Sequence, residues 1–316
     1  MNKILDTDFL IVGSGIVGLT IAREIQKKFI GKSVTVIEKE PEVGMHASGR
    51  NSGVLHSGVY YPSDTLKAEF TRKGNKSWID YCTKKNINFD QCGKLIVTSD
   101  YRDLDQLSVL ERRGIENGVP LEVLDENQTK KIEPLAKTFK NALYIPSTAT
   151  LEPIDLIKSV QEDFLNEGGT LIFMCAYKKL IDHQVAKTSS GNIAFKFLVN
   201  CAGLYADKIA NDFDLSNGYK IIPFKGLYLY GNSNAPSVNT HIYPVPDLDN
   251  PFLGIHVTRT TKGHIKIGPT AIPAFWRENY TGMSNFNIKD LFEILPLEAQ
   301  LFISNKNGFR DLAFQE

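Results

Sequence analysis

The stretch Phe9-Leu10-Ile11-Val12-Gly13-Ser14-Gly15-Ile16-Val17-Gly18 decides the fold. Four apolar residues read as a buried strand, and a GxGxxG turn follows at once. Leu19 to Phe29 carries helical spacing, Ser33-Val34-Thr35-Val36-Ile37 reads as a second strand, and Glu38 stands twenty residues after Gly18. Each position has a physical reason. Gly13 permits the tight turn. Gly15 has no side chain to hold a pyrophosphate away from the backbone, and Gly18 lets the helix lie close to the strand. The helix N-terminus offers free N–H groups and a partial positive charge to phosphates. Glu38 can accept hydrogen bonds from adenosine ribose hydroxyls, and its charge repels a 2′-phosphate. Glycines alone are weak evidence; with strand, helix, second strand and acid all in place, the unit is a predicted dinucleotide-binding βαβ motif.

The rest of the chain is long enough to surround such a motif. At 316 residues, 42% of them hydrophobic, it can bury one large core or two linked ones. Lys plus Arg and Asp plus Glu number 36 each, so the net charge is zero, with no electrostatic footprint for nucleic acid or an anionic membrane. Cys82, Cys92, Cys175 and Cys201 show neither CxxC spacing nor an assignable pairing, which argues for reduced thiols and against a metal site. No apolar run approaches the length of a membrane span, and Met1 to Thr7 is too short for a signal or transit peptide. A soluble cytoplasmic protein is the expectation.

No repeat or long linker appears, so a second domain is expected to be interleaved rather than appended. A glycine- and serine-bearing loop runs from Pro41 to Tyr61, and a helix starts after Pro62-Ser63-Asp64 and extends to Cys82. A strand at Leu95 to Thr98, helices at Asp103–Asn117 and from Asp125 through Lys131, and a strand at Tyr144-Ile145-Pro146 come next. A helix from Pro153 to Glu167 precedes the strand Thr170 to Phe173. The apolar strand Ala194 to Val199 runs into Asn200-Cys201-Ala202-Gly203 and then a helix, a junction that returns the chain to the nucleotide-binding sheet. From Lys220 the pattern is β-rich, with strands at Ile221–Tyr230, Ile242-Tyr243, Leu253–Thr258 and His264–Ile267, and a helix at Ile288–Leu295.

In this order the pieces resemble the D-amino-acid-oxidase-like (DAO) superfamily of FAD oxidoreductases, and most closely its L-2-hydroxyglutarate dehydrogenase/oxidase family. Asn51 to Tyr61 (NSGVLHSGVYY) is similar to the family's NSGVIHxGVYY segment, and Ser63 to Ala68 continues it. Cys92-Gly93-Lys94-Leu95 and Cys201-Ala202-Gly203-Leu204 resemble its CGK strand and CAGL turn. His241 to Asp247 and Pro251 to His256 resemble its IYPxPD and PFLGVH strings, and Gly268-Pro269 through Tyr280 its GPNAxxAFKREGY pattern. Three departures stand out: Arg50 before Asn51 where the family reads HNSG, Lys225 where it reads PFRG, and an end at Glu316. Relatives continue through a strand and a glycine-rich loop that cover the flavin pyrimidine and bring a substrate-facing arginine. The expectation is therefore a C-terminally truncated member that binds flavin weakly on its own.

The resemblance implies an α/β fold: a Rossmann-like FAD-binding domain (1–85 and 150–215) interleaved with a β-rich α+β substrate, or cap, domain (86–149 and 216–316). It implies non-covalent FAD held by Gly13, Ser14, Gly15, Ile16, Val17, Gly18, Glu38, Lys39, Ser48, Arg50, Asn51, Ser52, Gly53, Val54, Tyr177, Cys201, Ala202 and Gly203. A loop such as Ser48 to Gly58 is otherwise ordinary punctuation, and Tyr177 otherwise plain sheet packing. Alone, His56 would be a structural histidine; beside a flavin loop it is a candidate proton acceptor, with His256 as rival and His241 behind both. Lys225, Arg259 and Arg277 are ordinarily solvated or paired, but a dicarboxylate needs positive charge, so Lys225 and Arg277 are candidate substrate ligands. The implied activity is oxidation of a small 2-hydroxy acid resembling L-2-hydroxyglutarate, with oxygen or a quinone as electron acceptor. The alternatives are an amine or amino-acid oxidase of the same fold, or an incomplete, inactive flavoprotein.

Overall fold

The computed structural model describes residues 5–232, 235–247 and 254–311. The chain divides into two units, Met1–Asn51 with Pro153–Pro223, and Ser52–Glu152 with Phe224–Glu316. The Pro251-Phe252-Leu253 string and Leu312 to Glu316 lie outside the described residues.

The first unit is built on a six-stranded sheet. In spatial order its strands are Tyr177–Asp182, Val185–Thr188, Gly191–Asn200, Leu5–Val12, Val34–Ile37 and Thr170–Ile172. The last four run parallel, and the first two form an antiparallel edge. Leu10, Ile11, Val36 and Ile37 are fully buried, which is why these strands read as unbroken apolar runs rather than alternating ones. The helices Ile16–Lys28 and Pro153–Asn166 pack on each other, and Arg23 meets Asp163 at 3.4 Å between them. The edge strand Tyr177–Asp182 and its inner neighbour Val185–Thr188 have no counterpart in the sequence reading. Lysines 178 and 179 give the edge strand a charged, half-exposed pattern, the way natural sheets blunt an edge.

The second unit holds a seven-stranded sheet ordered Leu229–Tyr230, Ile265–Gly268, His256–Arg259, His241–Pro244, Lys94–Val97, Asn141–Ile145 and Glu122–Asp125. Its one parallel pairing sets Lys94 beside His241 and Ile96 beside Tyr243. Strand alternation then puts Lys94 and Ile96 on one face and Leu95 and Val97 on the other. The first face is covered by a core that includes Val59, Tyr60, Leu107 and Leu110, the last two from the helix Tyr101–Glu116. On the second face Leu95 clusters with Leu124 and Ala142 of the neighbouring strands and with Ala136 from outside them.

Residues 52–85, expected with the nucleotide-binding domain, group with this unit instead. The short strands Val54–Leu55 and Phe89–Asp90 both pair with Ala149–Leu151. From the helix Leu66–Lys85, the Asn75 amide donates to the carbonyls of Leu55 at 3.0 Å and Ser147 at 3.1 Å. The expected strand Ile221–Tyr230 is two short pieces, Phe224–Lys225 and Leu229–Tyr230, parted at Gly226, where a Cβ would sit 2.7 Å from Pro269. The last helix runs Ile288–Ser304, through Pro296, well beyond the expected Leu295. Its inward positions Asp290, Ile294 and Glu298 continue across the proline, so packing carries the helix past a local breaker. No helix among the described residues is long and apolar enough to cross a membrane.

Candidate active site

The glycine turn of the first unit is held from both sides. Gly13 donates to the Ile37 carbonyl at 2.9 Å, and Cys201 donates to the Val12 carbonyl at 2.9 Å. Gly13 has φ +106, and a Cβ there would lie 2.4 Å from the Cys201 carbonyl oxygen. A Cβ on Gly18 would lie 2.0 Å from the Gly13 carbonyl oxygen. These two glycines are therefore required by backbone approaching backbone. Gly15 differs: a Cβ would meet no backbone, only the Ser48 hydroxyl at 3.0 Å, a side-chain atom that would have to give by a few tenths of an ångström. The Ser48 hydroxyl also accepts from the Ile16 N–H at 3.0 Å, taking up one donor of the helix N-terminus.

Glu38 is locked before any ligand arrives. Its Oε2 accepts from the Ser14 N–H at 2.9 Å and the Ser14 hydroxyl at 2.8 Å, and its Oε1 accepts from the Glu40 N–H at 3.0 Å. Three of about four carboxylate lone-pair sites are thus used, leaving a fixed acceptor with capacity for a ribose hydroxyl. Lys39 is ion-paired with Glu40, lies 2.8 Å from His46 Nε2 and sits over the Tyr205 ring. Arg50 donates to the Met45 carbonyl, and Asn51 to the carbonyls of Ala47 and Ser48, so both brace their own loop. Cys175 donates to the Glu38 carbonyl at 2.7 Å, which brings the following segment alongside Glu38. There the Tyr177 hydroxyl donates to Asp212 at 2.9 Å. Ala202 leads into a short 3₁₀ turn from Gly203, whose φ of +54 faces open space. Val17 lies exposed on the first helical turn. Ser52, Gly53 and Val54 belong to the second unit, where the Gly53 carbonyl accepts from Leu151.

The second unit gathers its titratable groups on the Lys94 face of the large sheet. His256 stacks on Tyr243 with 3.8 Å between ring centroids, and its Nδ1 donates to the Gly254 carbonyl at 3.1 Å, leaving Nε2 with a lone pair. The His56 ring stands edge-on to Tyr60 and Tyr243, with centroids 6.3 and 6.1 Å away. His241 is fully committed: Nδ1 accepts from the Arg259 N–H at 3.1 Å and Nε2 meets Cys92 Sγ at 3.4 Å. Burial, reinforced by Lys94, holds His241 down at about 3. Burial brings His256 to about 4, against the upward pull of its Gly254 hydrogen bond. It also holds His56 well below the usual imidazole value, with Lys94 adding to the effect. All three rings are neutral at pH 7.

Lys94 is a buried lysine that the sequence alone did not single out. It is fully buried, burial alone draws its amine down to about 7, and its Nζ lies 4.3 Å from the Tyr60 ring centroid and 5.1 Å from that of Tyr243. The available signal was a lysine opening Lys94-Leu95-Ile96-Val97, a run apolar enough to be buried on both faces. The expected substrate cations divide. Arg277 is fully buried between Asp290 and Glu293, with its side chain 3.3 Å from Glu293 and its backbone N–H donating to Asp290. Its guanidinium thus faces two acids of the helix Ile288–Ser304. Arg259 is likewise paired, with Asp90 at 2.8 Å. Lys225 donates to the neutral Asn279 amide oxygen at 3.1 Å and keeps its charge available.

A family described as FAD dependent oxidoreductase (DAO) matches residues 8–315. The mitochondrial L-2-hydroxyglutarate dehydrogenase of Homo sapiens is 34% identical, over 95% of this chain and 68% of its own length. L-2-hydroxyglutarate dehydrogenase of Escherichia coli K12 is 32% identical, over 91% and 69%. Among solved structures, FAD-bound L-α-glycerophosphate oxidase of Mycoplasma pneumoniae superposes with TM-score 0.74 at 24% identity, covering 92% of this chain and 78% of that one. Glycine oxidase of Geobacillus kaustophilus gives TM-score 0.74 at 18% identity, covering 93% and 78%. At such identities these structures speak for the fold alone. The first unit fits the cofactor: Gly15 leaves open backbone at a helix N-terminus, and Glu38 is a preset acceptor beside it.

Proposed function

The chain belongs to the DAO family of FAD-dependent oxidoreductases, and from that premise we propose that it oxidises a small 2-hydroxy acid, L-2-hydroxyglutarate to 2-oxoglutarate. The observation that carries this reading is its kinship, along nearly the whole chain, with enzymes named for that substrate.

FAD, when bound, supplies the hydride acceptor; the chain's own residues orient, neutralise charge and handle protons. The turn from Gly13 to Gly18 with Glu38 holds the adenosine diphosphate half, and Ser48, Arg50 and Asn51 shape the loop beside it. The segments of Lys39, Tyr177 and Cys201 to Gly203 complete that cradle, and Ser52 to Val54 stay candidates for the same cofactor. His256, its Nδ1–H fixed on the Gly254 carbonyl, presents Nε2 to take the substrate's hydroxyl proton, and His56 is the second neutral acceptor. Lys225 stands for one carboxylate's counter-charge. A cytoplasmic location belongs to the same reading, supported by four free cysteines; the mitochondrial relatives name the competing compartment.

Anaerobic titration of the flavin-loaded protein tests the reading. L-2-Hydroxyglutarate is expected to bleach the flavin; preferential bleaching by glycine, sarcosine or alanine would replace this reading with an amine or amino-acid oxidase. Reoxidation by oxygen and by a soluble quinone in the same cuvette assigns the electron acceptor.

A further inference from the structure

The Lys94 face carries four polar atoms that the fold leaves unmatched. Lys94 Nζ, the hydroxyls of Tyr60 and Tyr243, and His56 Nδ1 are shut off from solvent and have no hydrogen-bond partner among the described residues. Buried polar atoms are nearly always paired, so four orphans around the same two aromatic rings point to a ligand that completes them. Three of the four can donate, and Lys94 becomes a cation on taking up a proton, a set that asks for an oxygen-rich anion. We propose that Lys94, with the hydroxyls of Tyr60 and Tyr243 and the His56 ring, binds one carboxylate of the substrate acid. This rests on the hydroxy-acid reading above and assigns a second cation to a substrate that needs two.

The groups facing Lys94 are consistent with that role. His241 and Tyr243 come from the strand beside it, His256 from the next strand, Cys92 from the segment before it, and His56 and Tyr60 from the covering loop. On the other side, Ile145 is the register partner of Lys94 and Tyr144 pairs with Leu95 on the opposite face. The nearby acid Asp90 is bound to Arg259. With its amine near 7 before the acid binds, Lys94 is mostly neutral at pH 8, and a carboxylate arriving there brings a proton onto Nζ.

The test is calorimetric titration of the flavin-loaded protein with 2-oxoglutarate, in buffers of different ionisation enthalpy. Near pH 8, close to one proton should be taken up per ligand bound, and Kd should weaken roughly tenfold per pH unit above neutrality. Lys94→Met should weaken binding at pH 7 about ten- to hundredfold and abolish the uptake. Tyr60→Phe should weaken binding severalfold with uptake retained. Absence of proton uptake in the wild type overturns the proposal even if the Met variant does not fold, as does a folded Met variant that binds and takes up protons like the wild type. If 2-oxoglutarate binds at no pH while an amine bleaches the flavin, the hydroxy-acid reading fails, and the proposal fails with it.

Discussion

Replacing Lys94 by Met should make the pH dependence of folding stability flatter. An unfolded lysine titrates at 10.5, whereas burial brings Lys94 in the folded chain to about 7. Between these values the unfolded state binds more protons than the native one, so stability rises with pH. The penalty of holding the amine in the core is fully present below about 7 and fades as pH climbs toward 10.5. Each tenfold loss of proton affinity on folding is worth about 1.4 kcal/mol, so the penalty is about 4 kcal/mol at pH 7, and moving to pH 9 relieves about 2 kcal/mol of it. Met is unbranched and similar in length, so it keeps most of the packing without the amine. Urea unfolding followed by tryptophan fluorescence suits the purpose, because Trp78 and Trp276, the only tryptophans, both lie in the second unit. FAD is held at one saturating concentration throughout, since ligand binding shifts apparent stability. His56, His241 and His256 titrate below this pH window, and the cysteines contribute equally to both proteins. The wild type should gain about 2 kcal/mol more than the variant between pH 7 and 9. Equal gains in the two proteins would refute the account of Lys94 as a buried amine poised near neutrality.

The glycine turn should respond position by position. Gly18→Ala forces a Cβ against the Gly13 carbonyl and should give protein lacking cooperative unfolding by circular dichroism, whereas Gly15→Val should fold normally and lose the yellow of bound flavin. Glu38→Gln breaks the charge-assisted bonds to Ser14 and Glu40 and should weaken FAD binding by about 1.5–3 kcal/mol, read as a ten- to hundredfold rise in Kd by fluorescence quenching. Arg277→Leu should destabilise the fold by about 3–5 kcal/mol, since Asp290 and Glu293 are left without their cation, and a rise in KM without loss of thermal stability would contradict that. Lys225→Met should instead raise KM for the acid about tenfold with thermal stability unchanged.

The parts of this protein that obey one local rule were legible in its sequence. The opening strand, glycine turn, helix and second strand stand where spacing put them, and Asp125 caps its helix with a reciprocal capping box to Gln128. Parts decided by packing were not. The helix through Pro296 violates a local rule that burial overrules, and the lysine-bearing edge strand Tyr177–Asp182 hides its alternation under charge. At the site, sequence could nominate residue types but not their partners. Arg277 and Lys225 look alike in a string of letters; two acids thirteen and sixteen residues beyond Arg277 are what separate them. Lys94 escaped because a lysine counts as a surface residue until its neighbours in the sheet are known.

The interleaved connectivity also sets an order of events during synthesis. Leu5 pairs with Ile193, so the opening strand leaves the ribosome long before its neighbour Gly191–Asn200 exists. At 5–20 residues per second that gap lasts roughly ten to forty seconds, during which Leu10 and Ile11 have no sheet to enter on that side. The second unit cannot join Lys94–Val97 to His241–Pro244 until the first unit's last strand has been made. Nascent chains of fewer than about two hundred residues should therefore engage holdase chaperones and resist little protease, and translation pauses placed before Gly191 should lower the yield of native protein.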